Sequence, residues 1–170
     1  MIRSYAIREK ALNILAMFKV TTSPVDIEKI ANMLGFKVVL FDFPDNISGV
    51  IRIVNNIKVI GVNVNHPNVR QRFTIAHEIG HYLSGHENFS HKEKTFVDNV
   101  DKNNRYFDPQ WRQEEEADEF AAELLMPNFL LKKDMSENHL DVSALAIKYN
   151  VSEQSMWIQL INHKLVYQTK

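Results

Sequence analysis

Residues Arg72 to Leu83, RFTIAHEIGHYL, decide how this chain reads. From about Pro67 onward Val69, Phe73, Ala76, Ile79 and Leu83 recur at the spacing of one helix face. Inside that helix stands His77-Glu78-Ile79-Gly80-His81, an H-E-x-x-H motif in the setting that gives it meaning. Positions i and i+4 are neighbours on a helix, so both imidazoles can reach one ion. Glu78 projects about 100° round from His77, beside the ion without being a ligand. The arrangement suits metal-assisted hydrolysis of a peptide bond. The ion polarises a carbonyl and lowers the pKa of a water molecule toward about 7, and Glu78 takes the proton and passes it to the leaving amine.

A catalytic zinc site takes three protein ligands and keeps one position open. The chain has no cysteine, so the third ligand is an imidazole or a carboxylate. His86, His91 and the acidic run Glu114-Glu115-Glu116-Ala117-Asp118-Glu119 are the candidates. The run opens a second helical pattern, from about Trp111 to Met126, whose Ala117, Ala121, Leu124 and Leu125 form a face for packing on the first helix. Glu114 and Asp118 are four residues apart. Glu114 can therefore ligate while Asp118 accepts a hydrogen bond from the other ring nitrogen of a ligand histidine. Glu115 is the alternative ligand. The plain reading of such a run is a solvated cap favoured by the helix dipole. His86 would extend the motif, but the metzincin pattern places its glycine and third histidine at other offsets. Two histidines and a carboxylate suit Zn2+, and the same set could hold Mn2+ or Fe2+.

The flanks predict the scaffold. Ile7, Ala11, Leu15 and Phe18 mark an amphipathic helix from Ile2 to Phe18. Ser23 is read as the cap of a second helix, with Pro24 at its first position, ending near Gly35. Three β-rich runs follow, Phe36 to Phe43, Ile47 to Val54 and Ile57 to Val64, the last two joined by a tight Asn55-Asn56 turn. They predict a small antiparallel sheet. Residues Ser84 to Gln110 read as a long polar loop. Asp141 to Ile161 reads as helix, turn, helix, with Ser152 capping the second and Val151, Met156, Ile158, Leu160 and Leu165 as that unit's own core. The second helix offers a DNA base only Gln154, Gln159 and Asn162, with no arginine, which favours partner docking over DNA contact. The expected fold class is α+β: a small antiparallel sheet with packed helices carrying a gluzincin-like metal site, plus a helix-turn-helix-like unit. The expected division is 1–130 for the metallopeptidase core and 131–170 for the C-terminal helices.

A formal net charge of -1 gives the whole molecule no basic field toward nucleic acid or anionic lipid. No apolar run approaches the roughly 20 residues of a membrane span, and the charged N-terminus does not read as a signal peptide. The expectation is a soluble cytoplasmic protein.

The two segments RFTIAHEIGHYL and EEEADEFAAELLMP (Glu114 to Pro127), in this order, resemble the paired signature of the ImmA/IrrE family of metallopeptidases. Ser48-Gly49 and the strand ending at Asn63 extend the resemblance, which covers roughly residues 20 to 130. It implies a minimal gluzincin-like core, with His77 and His81 as ligands, Glu78 as base, Glu114 as third ligand and Asp118 behind it. In the family's E-x-x-A-x-x-F-A pattern the glutamate falls three residues before the alanine, which selects Glu114 over Glu115. It also implies a cytoplasmic, site-specific endopeptidase that cleaves a helix-turn-helix repressor. Tyr106, His86 and His91 are the candidate transition-state donors. Two other readings compete: a transcriptional regulator with a structural zinc, and a protein-binding module built on the same fold. Glu78 separates them, because a structural site needs neither a general base nor an open position.

Overall fold

The computed structural model describes residues 2–86, 109–138 and 141–166. Helix α1 (Ile2–Met17) forms where Ile7, Ala11 and Leu15 share a face, and all three are buried. Helix α2 (Ile27–Met33) is capped by Asp26, whose Oδ1 accepts from the Lys29 N–H at 3.0 Å. This corrects the expectation of a Ser23 cap. Serine and aspartate cap about equally well, and here the Ser23 hydroxyl lies 3.3 Å from Asp134 Oδ2, to which it donates.

Strands β1 (Phe36–Phe41), β2 (Gly49–Val54) and β3 (Ile57–Asn63) form a sheet in the order β1-β3-β2. Asn55 and Asn56 have φ of 49° and 63°, the left-handed pair that a tight hairpin turn requires. They bring β2 antiparallel to β3, with Ile51 opposite Ile60. β1, however, runs parallel to β3, with Val38 beside Ile60, so the sheet is mixed rather than antiparallel. The cause lies in residues 42–48. The buried Asn63 Nδ2 reaches the carbonyl oxygens of Phe43, Pro44 and Ile47 at 3.1, 3.1 and 2.8 Å. This anchors the connection across the end of β3, and the chain returns on its far side.

Helices α3 (Asn68–Ser84) and α4 (Pro109–Leu125) pack on each other, and α5 (Asn128–Asn138), α6 (Val142–Tyr149) and α7 (Glu153–Asn162) follow. Asp141 caps α6 through the Ala144 N–H, and Ser152 caps α7 through the Ser155 N–H, the latter as the sequence suggests. A left-handed Asn150 turns the chain between them. One apolar cluster joins α1, the sheet through Ile51, Ile60 and Val62, and α3 and α4 through Ile79, Phe120 and Leu124. It continues to Leu145, Tyr149, Met156 and Leu160 of the C-terminal helices. Ile158, expected in the core, is 52% exposed. It stands two residues from Met156, about 200° round the helix, and so faces away from the buried side. No helix among the described residues is long and apolar enough to cross a membrane.

Candidate metal centre

Helix α3 is buried along Thr74, Ile75, Ala76, Glu78, Ile79, Gly80 and His81, an unusual stripe because it includes ionisable groups. Two glycines make room for it. A Cβ on Gly49, at the start of β2, would lie 2.4 Å from Thr74 Cγ2 and 2.8 Å from the Gly61 carbonyl oxygen. A Cβ on Gly80 would lie 3.0 Å from Phe120 Cδ1 and 3.2 Å from Ala117 Cα. Helix α3 therefore sits directly against both the first residue of β2 and the backbone of α4, which brings the acidic first turns of α4 to the H-E-x-x-H segment.

The histidines and Glu114 converge there. His77 Nε2 lies 2.8 Å from His81 Nε2, Glu114 Oε2 3.3 Å from His77 Nε2, and Glu114 Oε1 3.7 Å from His81 Nε2. One ligand atom from each of the three falls within 4.8 Å of the others. Asp118 Oδ1 accepts from His77 Nδ1 at 2.8 Å. Glu78 is buried, with Oε1 3.8 Å from the position of a Gly49 Cβ, so its carboxylate faces the start of β2. Glu115 is exposed. His86 is not brought into the group of three; it lies behind His81, with the two Nδ1 atoms 2.8 Å apart. His91 and Tyr106 lie outside the described residues.

Electrostatics favour a positive charge at this point. Burial alone would lower the His77 pKa, but hydrogen bonds to Asp118 and Glu114 and the charges of Asp118 and Glu78 outweigh it, raising it to about 10. Two imidazole nitrogens and a carboxylate oxygen in an acidic surround, with no thiol, make a donor set that fits a divalent metal ion.

Three features of this site carry weak signals in the sequence. Gly49 and Gly80 act through the absence of a side chain. The partners of His86, His81 Nδ1 at 2.8 Å and Glu116 Oε2 at 3.2 Å, depend on the turn that ends α3. That turn is marked by Gly85, whose φ of 67° is the left-handed conformation common just past a helix.

A peptidase-family model described as the IrrE N-terminal-like domain matches residues 31–160. The search of curated proteins finds no match. Among solved structures, a Mycobacterium tuberculosis transcriptional regulator is similar to this chain, with a TM-score of 0.62 and 19% sequence identity. The match covers 98% of this chain and 48% of that one, so the chain spans about half the length of that protein. At this identity the likeness shows the fold alone.

Proposed function

The chain belongs to the family of IrrE N-terminal-like peptidase domains, and from that membership we propose that it is a metal-dependent endopeptidase whose substrate is a helix-turn-helix transcriptional repressor. The observation that carries this reading is the convergence of His77, His81 and Glu114 beside the buried carboxylate of Glu78. The Nε2 atoms of the two histidines and the carboxylate of Glu114 would hold the ion, with zinc the best fit to the donor set and manganese or iron compatible with it. When bound, the ion supplies Lewis acidity at the scissile carbonyl and brings the pKa of a water molecule toward about 7. Glu78 takes the proton of the attacking water on its carboxylate and hands it to the leaving amine nitrogen. With Nε2 deprotonated for ligation, Asp118, as acceptor from Nδ1, would hold the remaining proton of His77 on that nitrogen.

An edge strand supports a peptide substrate. β2 lies at one side of the sheet and starts at Gly49, next to Glu78. An extended segment adding to this edge would lay a peptide bond beside the site. On this reading residues 1–130 form the catalytic core, residues 131–170 engage the repressor, and the site of action is cytoplasmic. A second reading makes the chain itself a regulator, as the similar mycobacterial protein is named, with α7 as its contact to DNA. Against it, Gln159 is buried in α7, where its Nε2 lies 3.3 Å from Glu123 Oε2 and 3.2 Å from the Met126 carbonyl oxygen. That removes one of the few base-reading side chains that α7 offers.

The test compares the native chain with Glu78→Gln for metal content and for cleavage of the helix-turn-helix repressor encoded beside the gene. Both should hold one equivalent of metal and only the native chain should cut. If both hold metal and neither cuts across a range of partners and metals, the site is structural or the fold serves as a binding module.

A further inference from the structure

We propose that His86 and Glu116 are positioning residues for His81, forming a hydrogen-bonded relay that fixes its tautomer and presents its Nε2 to the metal. The role toward an ion rests on the function proposed above.

The relay begins with the turn that ends α3. The Gly85 N–H bonds to the Tyr82 carbonyl and the His86 N–H to the His81 carbonyl, at 3.2 Å each. These two bonds form the Schellman pattern, which folds the residue after the glycine back over the residue five positions earlier. That contact is commonly apolar. Here it pairs two imidazoles, edge to face with centroids 4.9 Å apart, and His86 is 7% exposed.

Hydrogen-bond inventory then sets the direction of the chain. A neutral imidazole has one donor nitrogen and one acceptor nitrogen. If Nε2 of His81 is to ligate, its proton sits on Nδ1, which donates to Nδ1 of His86. His86 therefore carries its own proton on Nε2 and donates it to Glu116 Oε2, 3.2 Å away. An ionised carboxylate only accepts, so Glu116 holds the whole chain in this one polarity.

Helix α4 is placed to serve both ligand histidines. Ala117 lies against Gly80, and Glu116 and Asp118 project about 100° to either side of it. Asp118 reaches His77 directly. Glu116 reaches His81 through His86, which spans the extra distance on that flank.

The experiment uses the full chain and two readouts other than activity. Long-range proton–nitrogen NMR of the imidazoles should find the His81 proton on Nδ1 and the His86 proton on Nε2. Zinc affinity, measured by chelator competition on variants shown to be folded by circular dichroism, should fall about 10- to 100-fold in His86→Leu. His86→Gln should recover most of that loss, since its amide can accept from His81 and donate to Glu116. A His81 proton on Nε2, or native zinc affinity in folded His86→Leu, would overturn the relay. A native chain that takes up no zinc would instead overturn the metal reading, while the tautomer found in that same chain still decides whether the relay exists.

Discussion

Asp118 and His77 face each other across two helices, 41 positions apart in sequence, with Oδ1 and Nδ1 2.8 Å apart. If the hydrogen bond orients the ring toward an ion, Asp118→Ala should weaken zinc binding about 10- to 100-fold, because the imidazole loses both its orientation and the carboxylate that raises its basicity. The side chain of Asp118 is 59% exposed, so its loss leaves no cavity, and thermal stability should fall only by the worth of one partly screened hydrogen bond, about 1 kcal/mol. Calorimetric titration beside a melting curve separates the two effects, and equal zinc affinity in the variant would remove Asp118 from the site. The pairing of His77 with His81, and of Glu114 with Asp118, was legible in the sequence because residues four apart share a helix face, whereas the choice of Glu114 over Glu115 came from the family resemblance. His86 was read as a possible third ligand, and its Nδ1 lies 2.8 Å from His81 Nδ1, outside the group formed by His77, His81 and Glu114. Its position depends on a change of backbone direction at Gly85, which helical periodicity does not describe.

The α3–α4 pair is where the elements are most closely fitted, and Gly80 is the point of contact. Adding a methyl there gains about 1 kcal/mol of helix propensity. It also crowds Phe120 Cδ1 at 3.0 Å and the Ala117 backbone at 3.2 Å, and overpacking of this kind costs about 1–3 kcal/mol. Gly80→Ala should therefore cost about 0–2 kcal/mol net. Gly80→Val adds two further methyls and a β-branch, and should cost about 3 kcal/mol or separate the helices. Because Ala117 lies between Glu114 and Asp118 on α4, separation withdraws both carboxylates from the histidines, and zinc affinity should fall together with the denaturant midpoint. A valine variant that binds zinc normally would show that the close approach is not what positions Glu114. At this scale the helices of the site were legible, as was the β2–β3 hairpin, whose Asn55-Asn56 turn is a local signal. The place of β1 was not. It depends on three carbonyls of residues 42–48 gathering on Asn63, which lies 16 to 20 positions further along, and no pattern within the strand reports that.

Across the whole molecule, buried polar groups tie the C-terminal helices to the rest. Arg72 of α3 donates to the carbonyls of Val25 and Asn150 at 2.8 and 3.2 Å, and Glu123 of α4 bonds the Asn128 N–H at the start of α5 and the amide of Gln159 in α7. The tightest tie is Asp134 of α5, which accepts from Lys148 Nζ at 2.5 Å, the Tyr149 hydroxyl at 2.8 Å and Ser23 Oγ at 3.3 Å. Burial alone would raise the Asp134 pKa, but bonds to Lys148 and Tyr149, the Lys148 charge and the Ser23 hydroxyl together hold it below the ordinary carboxylate value. A carboxyl depressed in the folded state stabilises fully above its unfolded pKa of about 3.9, and this contribution is lost as pH falls from there through the lower folded value. Asp134→Asn keeps the size of the side chain but removes the charge, and should cost on the order of 2 kcal/mol at neutral pH, the worth of a charge-assisted bond in a partly shielded site. Denaturant midpoints measured from pH 7 down to pH 2 should show a constant gap between native and variant above about pH 5. Below about pH 4 the gap should narrow, as the native chain protonates Asp134 and loses the same interaction. A gap that stays constant to pH 2 would mean that the carboxylate charge contributes nothing and that the three donors are held by geometry alone.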